Sequence, residues 1–107
     1  MEKYAKILDR LGMKMSLKGY TYWKEALYYA DNLAIADDMI KMGNIYRYIA
    51  KKYDDSYNRV ERALRHAIDT TDNMRDTIRT KFNLTYNPNN THVLMCLIRW
   101  INEEEFN

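Results

Sequence analysis

The side chains that could do chemistry are concentrated between positions 58 and 66. Asn58, Arg59, Glu61, Arg62, Arg65 and His66 are interleaved there with the apolar Val60, Ala63 and Leu64. Wound as an α-helix at about 100° per residue, with Val60 as origin, Leu64, Ile68, Ala67 and Ala63 all fall within about 80° of it. Glu61 lies near 100°, and Arg65, Asn58 and Arg62 follow between about 140° and 200°. Arg59 and His66 lie at about 240° to 260°. One face is apolar and the other carries three arginines, an asparagine, a histidine and a glutamate. That set matches the edges of base pairs: Arg bonds guanine in bidentate fashion, Asn bonds adenine, and Glu accepts from cytosine. The plain alternative is the solvated face of a helical hairpin.

The neighbouring elements favour the first reading. A helix expected over 44–53, capped by Asn44, carries Ile45, Ile49 and Tyr53 as its stripe. The joint Asp54-Asp55-Ser56 is short and supplies capping oxygens, and a second helix is expected over 57–70. Two helices joined by so few residues have the dimensions of a helix-turn-helix, here about 44–70. Ala50 is small where the helices must cross. Asp54 tolerates the left-handed backbone that such a turn often needs. The start of the second helix is the part that reaches bases most easily, so Asn58, Arg59, Glu61 and Arg62 are the expected base readers. Lys51 and Lys52, at the end of the first helix, are expected phosphate contacts. From Lys41 to Arg65 the segment holds seven basic and three acidic residues, a net +4, while the rest of the chain is −2. A local basic stretch in a chain of net charge +2 suits a phosphate backbone.

The remaining pattern is helical too. Tyr4, Ile7, Leu8 and Leu11 repeat at helical spacing over 2–13, with Gly12 near the end. A run after Lys18-Gly19 places Tyr20, Trp23, Leu27 and Ala30 together. A short helix is expected over 34–42, ended by Gly43, and another over 73–82. Asn87-Pro88-Asn89-Asn90 marks a loop, after which Asn90 or Thr91 begins a last helix. Residues 84–86 could be briefly extended, but no convincing strand pattern exists. With 107 residues, 47% apolar and 30% charged, the expectation is one all-α domain over 1–107, a compact bundle of about six helices. Three Gly and one Pro are too few for a turn-rich β fold. The longest apolar run, 93–98, is too short to cross a membrane. The opening residues lack the apolar stretch of a signal peptide, and the single cysteine, Cys96, cannot pair internally, so a reducing, cytoplasmic setting is expected.

Several stretches resemble the C-terminal effector domain of stage zero sporulation protein A. Residues 18–27 (KGYTYWKEAL) resemble its opening, 49–53 (IAKKY) the first helix of its helix-turn-helix, and 59–68 (RVERALRHAI) its recognition helix almost residue for residue. Pro88 with Asn90-Thr91 resembles the start of its last helix. The resemblance spans about 10–102. It implies a six-helix domain that binds a short operator box in the major groove and regulates transcription. Double-stranded DNA, RNA polymerase and a second copy on tandem sites are the implied partners. By position, Arg59, Glu61 and Arg62 would read bases, joined by Asn58. Arg65 and His66 would contribute backbone or groove-edge contacts, and Lys51, Lys52 and Tyr57, expected from their own positions rather than from the family, would join them on the backbone. Three departures stand out. The chain is too short for the receiver domain of the full regulators, which implies a free-standing relative or an excised domain. Tyr57 stands where the family tends to have a small residue, and Asp72 would repel phosphate. These departures also motivate a rival, a protein-interaction module that modulates a full-length regulator or polymerase without productive DNA binding.

Other chemistry is weakly signalled. His92 and Cys96 are i, i+4, but two ligands make no metal centre. His66 has no Ser or Cys partner at motif spacing, and no Gly-rich phosphate loop occurs. Asp37-Asp38 reads as helix-surface charge. Asn83-Leu84-Thr85 and Asn89-Asn90-Thr91 fit a glycosylation pattern that a cytoplasmic protein would not use. The expectation is no catalytic residue, no metal and no cofactor. Most of the ten tyrosines lie at core spacing.

Overall fold

The computed structural model describes residues 1–33 and 41–104. These form six α-helices: α1 (Glu2–Arg10), α2 (Lys18–Tyr28), α3 (Met42–Lys52), α4 (Tyr57–Thr70), α5 (Met74–Lys81) and α6 (Asn90–Glu104). A π-helical turn, Tyr29–Leu33, continues α2. No strand occurs among the described residues, and 84–86 form none. The short helix expected over 34–42 lies outside the described residues except for Lys41 and Met42, and so do Asp37 and Asp38.

The apolar stripes converge on one core. Tyr4, Ile7 and Leu8 of α1, Trp23 and Leu27 of α2, Ile45 and Ile49 of α3, and Val60, Leu64 and Ile68 of α4 are all buried. Met74 and Ile78 of α5 and Val93, Leu94, Leu97 and Ile101 of α6 close it. Full burial of one such aliphatic chain is worth about 1.5–3 kcal/mol relative to exposure. Gly12 ends α1 as its position suggested: at φ +86° it lets the Met13 N–H reach Leu8 O at 3.0 Å.

α2 is the support of α4. Gly19 makes this possible, because a Cβ there would stand 2.3 Å from Ala63 O and 2.5 Å from Ala67 Cβ. The helices approach backbone to backbone at that point. One turn on, the Trp23 indole N–H donates to Leu64 O at 2.9 Å inside the core.

One expected cap is displaced, whereas α6 begins at Asn90, one of the two starts expected for it. α3 begins before Asn44, with Lys41 as its N-cap residue and Gly43 inside its first turn, so Gly43 ends nothing. The Asn44 Oδ1 accepts from Arg47 at 3.4 Å instead of capping the backbone. In α6 the cap is Asn89, whose Oδ1 accepts from the His92 N–H at 3.0 Å. Asn90 is buried and donates from Nδ2 to the Tyr46 hydroxyl (3.1 Å) and to Glu61 O (3.3 Å), tying α6 to α3 and α4.

Candidate nucleic-acid interface

The turn between α3 and α4 is built by local chemistry. Asp54 takes φ +51°, the left-handed conformation expected of it. It lets the Asp55 N–H return to Ala50 O at 2.9 Å, which closes α3. Ser56 then caps α4, its hydroxyl accepting from the Arg59 N–H at 3.2 Å.

A buried polar clasp fixes that turn to α2. The Asp55 carboxylate takes the Lys18 ammonium at 2.7 Å, the Tyr22 hydroxyl at 2.6 Å and the Ser56 N–H at 2.8 Å. Lys18, then Tyr22 and the Ser56 amide, hold its carboxyl well below the usual carboxylate range. One turn further along α2, the Glu25 carboxylate is buried and receives Lys52 at 2.7 Å and the Tyr53 hydroxyl at 2.5 Å. Burial, then the Glu25 bond, pushes the Tyr53 phenol up to about 12. The Tyr22 and Tyr53 rings pack at 5.4 Å between the two carboxylates. The stretch 18–27 carried this clasp in its spacing, since Lys18, Tyr22 and Glu25 share one face of α2. Their partners, about thirty positions away, were not legible.

The outer face of α4 is the opposite environment. Asn58, Arg59, Arg62, Arg65 and His66 are all exposed on it. Among the described residues the Arg59 and His66 side chains meet no carboxylate and make no hydrogen bond. Arg62 Nε reaches only Asn58 O, at 3.5 Å. Glu61 sits at the flank, half-buried, with its carboxylate 3.2 Å from Arg65 Nη1, so these two side chains engage each other. Lys51 is exposed at the end of α3, whereas Lys52 is turned onto Glu25. Tyr57 is exposed, with its ring edge-on to Tyr46 at 5.1 Å. The structure thus groups Asn58, Arg59, Arg62, Arg65 and His66, leaves Glu61 and Tyr57 on one flank, and directs Lys52 inward.

No group of three His, Cys, Asp or Glu side chains placed to hold a metal ion occurs among the described residues. Burial raises the Cys96 thiol, which suits packing. No described helix is long and apolar enough to cross a membrane.

Two helices joined at a left-handed aspartate, the second backed by α2 and cationic outside, are consistent with a helix-turn-helix. The chain belongs to the family described as "Sporulation initiation factor Spo0A C terminal", which matches residues 4–101. That family comprises sporulation-regulator effector domains that bind DNA and is not an enzyme family. No solved structure matches the chain.

Proposed function

We propose that this chain binds double-stranded DNA in a sequence-specific manner and regulates transcription, with the first half of α4 in the major groove. The observation that supports this most is the exposed cationic face of α4, whose Arg59, Arg62 and His66 meet no carboxylate among the described residues. On the same helix Arg65 is engaged at i, i+4 by Glu61, so the unengaged cations cluster toward the start and outer side of α4. In this reading Asn58, Arg59, Glu61 and Arg62 read base edges. Lys51, Tyr57, Arg65 and His66 touch the backbone. Lys52 contributes there with the ammonium hydrogens that Glu25 leaves over. Glu61 reads a base once Arg65 leaves it for a phosphate. The protein acts in the cytoplasm, pairs with a second copy on tandem sites and meets RNA polymerase there.

Fluorescence anisotropy tests this with one duplex carrying tandem TGTCGAA-type boxes, the family's motif, and one scrambled duplex, at several salt concentrations. Tighter, salt-dependent binding to the boxes is expected. Equal binding to both duplexes would retain a DNA binder with a different operator. Absence of binding to either, even at low salt, would overturn the reading and leave the interaction module.

A further inference from the structure

We propose that Gly43, Arg47 and Tyr57 form a cradle for a phosphate of the DNA backbone, beside the start of α4. This rests on the reading of α4 as the DNA-binding helix. Gly43 lies in the first turn of α3. A Cβ placed on it would stand 3.2 Å from Arg47 Nη1 and 3.3 Å from the Tyr57 hydroxyl oxygen. A guanidinium and a phenol, from two different helices, therefore converge over a residue that has no side chain.

Both groups are held, and neither is satisfied. The Arg47 guanidinium lies over the Tyr57 ring, 5.6 Å from its centre. That ring is braced edge-on against Tyr46, which Asn90 fixes in turn. Among the described residues Arg47 meets no carboxylate, its one polar partner being Asn44 Oδ1 at the weak distance of 3.4 Å. The Tyr57 hydroxyl has no hydrogen-bond partner among them. Arg47 is exposed, and Tyr57 is 42% exposed.

A planar fork of N–H donors beside a phenolic O–H is the donor set that a phosphate oxygen pair takes. Location selects the source of that phosphate. Tyr57 is the first residue of α4, and the next residues carry the exposed base-reading groups. A helix seated in the major groove has phosphates along both walls, and the α3 side of its start stands against one of them. Tyr57 occupies a position where the resemblance expects a small residue, so the cradle is a contact that this chain adds.

The test measures anisotropy on two duplexes of unrelated sequence over a salt series, with wild type, Arg47→Ala, Arg47→Lys and Tyr57→Phe. Arg47→Ala is expected to weaken both duplexes equally, about tenfold at low salt, and to reduce the slope of log K against log salt by about one. Arg47→Lys restores the slope but not the full affinity, because the fork is lost. Tyr57→Phe, which keeps the ring, weakens binding about threefold and leaves the slope unchanged. Wild-type affinity and slope in Arg47→Ala would overturn the cradle while leaving DNA binding intact. Loss on one duplex alone would also overturn it, by making Arg47 a base reader. A lowered melting temperature with unchanged affinity would assign the Arg47–Tyr57 pair to folding. Failure of wild type on every duplex at the lowest salt would instead remove the DNA-binding reading itself.

Discussion

The clasp on α2 and the outer face of α4 are both rich in charge, yet they stand in opposite conditions. In the clasp, each carboxylate is buried and each takes one lysine and one tyrosine hydroxyl: Asp55 with Lys18 and Tyr22, Glu25 with Lys52 and Tyr53. On α4, Arg59, Arg62 and His66 point outward without a carboxylate among the described residues. Lys52 and Arg59 add equally to the net charge of the 41–65 segment. One holds α3 onto α2, and the other is free for a partner. Net charge therefore measures less than the division between internally engaged and unengaged groups. Carboxylates buried against internal donors favour a single arrangement, even with Glu25 Oε1 left without a hydrogen-bond partner, whereas unengaged exposed cations favour association.

Substitutions should separate the two regions. The largest stability effect is expected from Glu25→Ala, which removes two buried hydrogen bonds at the end of α3 and costs about 2–3 kcal/mol, read from urea unfolding. Arg62→Ala should leave unfolding within about 0.5 kcal/mol of wild type and cost about 1–3 kcal/mol in DNA affinity, with relaxed preference at one base position. A smaller contrast compares adjacent lysines. Lys51→Ala should lower the salt slope of binding by about one and leave the melting temperature unchanged. Lys52→Ala should lower the melting temperature by a few degrees, because it leaves Glu25 short of a partner.

The clasp also sets a pH window. Asp55 is held below its unfolded value, so its contribution is complete above about pH 4 and is lost as the pH falls below that. Tyr53 is raised to about 12, so its contribution is complete below about pH 10 and is lost as the pH climbs toward 12. Thermal melts across pH should show a shallower acid limb in Asp55→Asn and a shallower alkaline limb in Tyr53→Phe, the remainder coming from groups shifted the same way, such as Glu104 and Tyr20.

Local signals carried far in this chain. The bounds of α4, the left-handed Asp54 and the buried set Val60, Leu64, Ala67 and Ile68 follow from periodicity and turn chemistry between near neighbours. Glu25 was not legible as a site residue, because its meaning depends on Lys52 and Tyr53 from another helix. Asn44 looked like a cap, yet packing moved the start of α3 toward the N-terminus and gave its side chain Arg47 as a partner, while Asn90 begins α6 as expected but turns its side chain inward to Tyr46. Arg47 and Gly43 were illegible for the same reason: a residue that lacks a side chain acquires a role only from what two other residues place above it. The exposed face of α4, with Glu61 at its flank, was legible residue by residue, but the pairing of Glu61 with Arg65 was not foreseen.

The bond from the Trp23 indole to Leu64 O places a fluorophore in direct contact with the backbone of α4. Indole emission depends on the polarity and hydration around the ring, and Trp23 is fully buried. The domain thus carries its own optical gauge of the seam between the supporting helix and the DNA-facing one. With Trp100 replaced by Phe, Trp23 is the single tryptophan and can be excited apart from the tyrosines. Its spectrum then distinguishes two kinds of docking: an unchanged blue emission on adding DNA means that α2 and α4 engage the duplex as one rigid unit, and a red shift means that the seam opens as α4 seats.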